Sequence, residues 1–303
     1  MDNRSTPAGW SLQAGTLAQE CIVHGRGLHT GRNATVRLLP VAPHAERQGI
    51  TFRRIKNGKV IAEIAVCPAA WQKAPLCSTL VDENGAKIRT VEHLLAALLL
   101  SEIDEAMVEI DAEEVPILDG GGAAWVAAIK NCGRVPLPRP KRFIRILRPF
   151  HFTFDNNKGQ YTIKPGADYT INCLLHPYRF DPMRFHTRLT PETFRKEIAP
   201  ARTYGKVKMA IPALLGGLLT GIPILRGARR SNTIGVFNNK IIGDLRLPDE
   251  FVRHRILDVI GDFALAGSPL LANIFVRRPT HCTNHHVISQ ILSTKDAWEF
   301  VEF

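Results

Sequence analysis

Apolar residues in the stretch Val91–Leu99 fall at positions 91, 94, 95, 98 and 99, which is one face of a helix. Thr90 stands where an N-cap is expected, so Glu92 and His93 fall in the first helical turn. A second periodic stretch places Val252, Ile256, Val259, Ile260 and Phe263 on one face, with Asp249 able to cap its start and Gly267 followed by Pro269 to close its end. On the polar side of that stretch, His254, Asp258 and Asp262 recur every fourth residue and so line up along one stripe. Alternating runs at Ala34–Leu38 and Met107–Ile110 predict half-buried strands, as do Phe143–Leu147, Tyr161–Ile163 and Tyr169–Leu174, with Pro165–Asp168 turning between the last two. Asp119-Gly120-Gly121-Gly122 leads into a short helix, Ala123–Cys132, ended by Gly133; without a phosphate-loop lysine it reads as a tight turn. The proline-rich run Pro136–Lys141 reads as a linker, which divides the chain into residues 1–135 and 141–303. Each half then offers strands and one helix carrying a candidate metal ligand. The fold class expected is α+β: two similar domains, each a sheet packed against helices, with an active site in the cleft between them.

The polar residues on those helices point to a chemistry. A hydrolytic zinc ion needs three protein ligands, an open position for water and an unbound base. His93, His254 and Asp258 can supply the ligands and Glu92 the base. Three of the four have a plainer explanation. Glu92 favours a helix N-terminus electrostatically, and His254 with Asp258 can be an i,i+4 pair on a solvated face. By themselves the spacings leave both readings open.

Composition narrows the class. The chain has 303 residues, of which 45% are hydrophobic and 22% charged, ordinary for a soluble globular protein of about two domains. Its six cysteines (Cys21, Cys67, Cys77, Cys132, Cys173 and Cys282) form no Cys-x2-Cys pair, which argues against a disulfide framework or a thiolate zinc site and fits a reducing cytoplasm. The start, Met1-Asp2-Asn3-Arg4, lacks the apolar stretch of a secretory signal. A net charge of +11 calls for an anionic partner. The basic residues are dispersed and no nucleic-acid module is recognisable, so nucleic acid is not expected; a phosphorylated substrate or an anionic membrane face fits better. The segment Ala210–Leu225 carries no charge but is too short, and too broken by proline and glycine, to span a bilayer. It reads either as a buried helix or as an apolar lip for an acyl chain, with Lys206, Lys208, Arg226, Arg229 and Arg230 flanking it.

Taken in order, several motifs resemble one family. Gly25-Arg26-Gly27-Leu28-His29-Thr30-Gly31, Arg89-Thr90-Val91-Glu92-His93-Leu94, Val115-Pro116-Ile117-Leu118-Asp119-Gly120, Ala201-Arg202-Thr203-Tyr204-Gly205 and Asp249-Glu250-Phe251-Val252-Arg253-His254 are similar to the UDP-3-O-acyl-N-acetylglucosamine deacetylases, the zinc amidases of bacterial lipid A synthesis. The ordered set is specific where any single piece is not. The resemblance implies Zn2+ on His93, His254 and Asp258, Glu92 as general base, and Thr203 as a stabiliser of the oxyanion. It also implies His281 as the second catalytic histidine, oriented by Asp262, and substrate contacts from His29, Cys77, Tyr204 and Arg255. The implied substrate is a UDP-linked acylated glucosamine, met in the cytoplasm at or near the inner membrane face; oligomeric state is left open. The chain departs from the family's pattern at three places. Arg255 stands for a usual lysine, Thr280 for the glycine before His281, and Gly227–Asn232 for a stretch beside the acyl passage. A related zinc amidase with another N-acetylated substrate, or a non-catalytic paralogue binding a sugar nucleotide or lipid, are the alternatives.

Overall fold

The computed structural model describes residues 6–303 except 157, 179, 209–211, 213–214, 216–218, 220 and 222. Most of the apolar segment Ala210–Leu225 therefore lies outside the described residues.

Along the chain run β1 (Gln13–Leu17), β2 (Cys21–Arg26), β3 (Asn33–Leu39), β4 (Ile50–Lys56), β5 (Lys59–Ala65), β6 (Trp71–Ala74), β7 (Cys77–Val81), β8 (Lys87–Arg89), α1 (Glu92–Leu100), β9 (Ala106–Ile110), α2 (Ala123–Cys132) and β10 (Arg134–Pro140). There follow β11 (Arg142–Ile146), β12 (Phe150–Phe154), β13 (Gly159–Pro165), β14 (Tyr169–Leu175), β15 (Met183–Arg188), the short α3 (Pro191–Thr193), β16 (Thr203–Lys206), β17 (Thr233–Phe237) and β18 (Lys240–Ile242). The chain closes with α4 (Glu250–Phe263), β19 (Leu270–Arg277), α5 (His281–Ser293) and β20 (Trp298–Glu302). The α+β class is as expected, and all five alternating runs form strands.

Two hydrophobic cores organise these elements. One gathers the inward residues of a five-stranded sheet, ordered β2-β3-β9-β4-β5, under α1 and α2: Val36, Leu38, Phe52, Val108 and Ile110 meet Leu94, Leu98 and Trp125. The other gathers β11–β14 and β19, in a seven-stranded sheet, against α4 and α5 through residues such as Ile163, Ile171, Ile274, Val259, Ile260 and Ile288. Helix α1 lies between them. Leu94, Leu95 and Leu98 face the first core, while Ala96 and Leu100 belong to the second. This is why α1 is buried on nearly every side rather than on the single predicted face. Among the described residues no helix is long and apolar enough to cross a membrane.

The crossing of α1 and α4 is close because position 261 is glycine. A Cβ there would come within 2.6 Å of the Glu92 carbonyl carbon and 2.9 Å of its Cα. The start of α1 is thus pressed onto the middle of α4.

Local expectations fail at three places. Thr90 does not cap α1: its φ of 57° is left-handed, the N-cap is Val91, and the Thr90 hydroxyl donates to Glu114 Oε1 at 3.0 Å. Asp249 makes no side-chain cap on α4 and instead accepts from Arg253 Nε. The proline-rich run is no free linker, because β10 pairs antiparallel with β1 from Gln13↔Pro140 to Leu17↔Arg134. A two-stranded ribbon leaves one edge of β10 without ladder bonds, which accommodates its prolines. The Gly-rich turn and the end of α4 are as expected. A Cβ on Gly120 (φ +88°) would strike the Asn232 backbone, and Gly267 closes the helix at φ 76°.

Candidate active site

The first turn of α1 and one face of α4 bring three donor groups together. Ligand atoms of His93, His254 and Asp258 all lie within 4.8 Å of one another, and all three residues are buried. Asp258 Oδ1 is 3.3 Å from His254 Nε2 and 3.7 Å from His93 Nε2. That oxygen has no hydrogen-bond partner although it is buried, an arrangement costly for a carboxylate unless a cation completes it. Of the other polar atoms of the triad, two are spoken for, while His93 Nδ1 is buried without a hydrogen-bond partner. Asp258 Oδ2 accepts from Arg255 Nη1 at 2.9 Å, and His254 Nδ1 donates to the Ala201 carbonyl at 3.1 Å. That donation leaves the lone pair of His254 on Nε2, the form a metal ligand needs. Burial pulls His254 down to about 4, so it stays neutral. His93 is raised instead, burial being outweighed by the facing Asp258 and Glu92. Burial would lift Asp258, but the imidazoles and Arg255 outweigh it and hold it well below the usual carboxylate range. Two imidazoles and a bare carboxylate oxygen at these separations fit a zinc-type cation.

Glu92 sits beside this triad, buried, with its two oxygens in different roles. Oε2 accepts the Ser78 amide at 3.0 Å, and Oε1 faces His281 Nε2 at 3.8 Å. Burial pushes its carboxyl up to about 7, with His281 partly offsetting the rise. His281 opens α5, where the Thr280 side chain caps the helix and leaves the imidazole free to turn inward. Its Nδ1 lies 2.9 Å from Asp262 Oδ2. Burial lowers the His281 pKa, but Asp262 and Glu92 outweigh it, and the value lies well above the ordinary one.

The other expected residues fall around this centre at varied distance. Thr203 begins β16, half-buried, two residues after the carbonyl that holds His254. The Tyr204 ring packs on His254 with centroids 6.0 Å apart, and its hydroxyl accepts from Arg255 Nε at 2.9 Å. Cys77 is buried, with Sγ 3.7 Å from Thr79 Oγ1. His29 is fully buried; its Nε2 has no hydrogen-bond partner, and its amide donates to Glu114 Oε1 at 2.7 Å.

Four residues of this centre escape a reading of the sequence. Ser78, Asn284 and His285 surround Asp262, and Glu114 receives the His29 and Thr30 amides together with the Thr30 and Thr90 hydroxyls. The i,i+4 repeat of His281 and His285 is the one signal that could have flagged any of them.

A family model described as LpxC, UDP-3-O-acyl N-acetylglycosamine deacetylase, matches residues 14–293. The chain belongs to this deacetylase family. Among curated relatives, the UDP-3-O-acyl-N-acetylglucosamine deacetylase of Geotalea uraniireducens is 34% identical over 295 residues, covering 95% of this chain and 91% of the relative. That of Neisseria gonorrhoeae is 32% identical over 296 residues, with 95% and 92% covered. That of Brucella melitensis is 34% identical over 288 residues, with 95% and 98% covered. The deacetylase family match thus extends over both cores and all three candidate ligands.

Proposed function

We propose that this chain hydrolyses the N-acetyl group of UDP-3-O-acyl-N-acetylglucosamine, releasing acetate, as a step of lipid A biosynthesis. The carrying observation is the convergence of His93, His254 and Asp258 on one bare carboxylate oxygen, in a member of a deacetylase family. Zinc held by these three residues supplies Lewis acidity to a carbonyl and brings water to a pKa of about 7.

The protein groups divide the remaining work. Glu92 takes the proton of the attacking water on Oε1, since Oε2 is occupied by the Ser78 amide. His281 shares its Nδ1 proton with Asp262 and so presents Nε2–H to the oxyanion or to the departing amine. The Thr203 hydroxyl adds a second donor for the oxyanion. His29, Cys77, Tyr204 and Arg255 line the approach of the sugar and its phosphates; the unpartnered His29 Nε2 is available to a polar substrate atom. The two cores support a division of the chain into 1–135 and 141–303.

The cytoplasm, against the inner membrane face, is the proposed location. The charge of +11 and the basic residues flanking Ala210–Leu225 support contact with an anionic surface. The decisive test is acetate release from the UDP-linked acyl-glucosamine by zinc-loaded protein. Turnover that Glu92→Ala abolishes is the expected result; no release by the wild type would refute the reading.

A further inference from the structure

Asp262 is fully buried and carries two oxygens with separate clienteles. Oδ2 accepts from His281 Nδ1 at 2.9 Å and from Asn284 Nδ2 at 2.7 Å. Oδ1 meets the Ser78 hydroxyl in a short contact and lies 3.3 Å from His285 Nε2. Ser78 Oγ and His285 Nε2 are themselves 2.7 Å apart. Proton counting settles the directions. An ionised carboxylate only accepts, so the single Ser78 proton goes to Asp262; Ser78 Oγ must then accept, and His285 Nε2 must carry a proton. The His285 ring is held in that pose by Trp71, stacked at 4.4 Å and 23°. Its Nδ1 is buried without a partner, so Nε2 is its one anchoring atom.

Ser78 has a second attachment. Its amide donates to Glu92 Oε2, and its carbonyl accepts from the Val91 amide at 3.4 Å at the start of α1. One residue of β7 thus touches two carboxylates of the site, Glu92 by backbone and Asp262 by side chain. We propose that Ser78 and His285 are positioning residues for the deacetylation reaction. They pin Asp262 Oδ1, reserve Oδ2 for His281, and hold Glu92 and His281 in one frame across the α1–α4–α5 junction. Without them Asp262 can rotate about its side chain and trade which oxygen meets His281, and the base and the second histidine lose their common reference.

The role in turnover rests on the deacetylase reading, so the test has one arm that needs no substrate. Nitrogen-15 spectra of the histidine rings in the full-length protein, as purified with its metal, should show His285 protonated at Nε2. Its hydrogen-bonded ring proton should be lost or moved in Ser78→Ala and retained in Ser78→Thr. A His285 protonated at Nδ1 alone, or a spectrum indifferent to Ser78→Ala, overturns the proposal. In acetate release, Ser78→Ala should lower kcat by about 10- to 100-fold, the usual effect of losing an outer partner of a catalytic group, with KM within about twofold. Ser78→Thr should restore most of the rate, and His285→Phe, which keeps a ring on Trp71, should fall in the same direction as Ser78→Ala. A kcat unchanged in Ser78→Ala, or a loss that threonine does not rescue, overturns it too. A wild type that releases no acetate refutes the deacetylase reading and leaves the spectroscopic arm to decide this one.

Discussion

His281 Nδ1 lies 2.9 Å from Asp262 Oδ2, and this contact decides which ring nitrogen faces the reaction. Burial works against the imidazolium, yet Asp262 and Glu92 hold its pKa well above the ordinary value. The sign follows from that direction. The proton is fully in place below the unfolded-state value of about 6.5 and is lost as pH rises through the higher folded value. A reaction that uses protonated His281 is therefore not limited by that group through neutrality and declines on the alkaline side, while Glu92, raised to about 7, sets the acid limb. Asp262→Asn removes the anion and should move that decline to lower pH. Full pH profiles of kcat/KM for both proteins check this, and an alkaline limb that stays put in Asp262→Asn would count against the pairing.

Glu92→Gln keeps the shape of the side chain and an oxygen for the Ser78 amide but removes the base. Loss of a positioned general base costs about 100- to 10,000-fold. The expected outcome is a fall of that size in kcat with metal content unchanged. Metal analysis beside the kinetics separates this from damage to the ligand triad; a variant with near-normal kcat would take Glu92 out of the mechanism.

The helical periodicities around residues 94 and 256 were readable because each helix must bury an apolar stripe. The stripe of His254, Asp258 and Asp262 was readable because a period of four is local. Ser78 and His285 were not, since their hydroxyl–imidazole contact joins residues 207 apart in sequence and exists only once α5 packs against β7. Thr90 misled for a related reason. Its hydroxyl is drawn to Glu114, 24 residues away, and a tertiary contact overrides the capping preference. For Arg255 the resemblance implied a substrate contact, and the fold adds what no motif announced, the donation of its guanidinium to Asp258 and Tyr204. The prolines of β10 obscured a strand because its partner, β1, lies at the far end of the first half.

That placement of Arg255 makes a prediction about metal retention. With Nη1 on Asp258 Oδ2, the guanidinium turns Oδ1 toward the two imidazoles. Arg255→Met should weaken zinc binding by about 10- to 100-fold, as losses of such outer partners do. Competition against a chromophoric chelator measures this directly. Unaltered affinity would show that Asp258 keeps its pose unaided.

The ligand triad itself should bind about one zinc per chain. Removing the metal with a chelator should abolish acetate release, and adding zinc back should restore it. His254→Ala and Asp258→Ala should not regain stoichiometric metal under the same conditions. Elemental analysis after dialysis checks this, and full occupancy in either variant would place the ion elsewhere.

Gly261 tests whether the site depends on the close approach of its two helices. Its missing Cβ is what allows the Glu92 backbone to lie against α4; a methyl group there would sit 2.6 Å from the Glu92 carbonyl carbon and 2.9 Å from its Cα. Neither backbone can yield alone, because α1 is wedged between both cores and α4 is anchored in the second by Val259 and Ile260. Overpacking of this kind costs about 1–3 kcal/mol. Helix propensity acts in the opposite sense, favouring alanine over glycine by about 1 kcal/mol, so the strain must exceed that gain to appear. Gly261→Ala should therefore lower stability in urea unfolding, and it should lower zinc affinity too, because any separation of α1 from α4 carries His93 away from His254 and Asp258. A variant as stable as the wild type with undiminished affinity would mean that the helices can part without disturbing the triad.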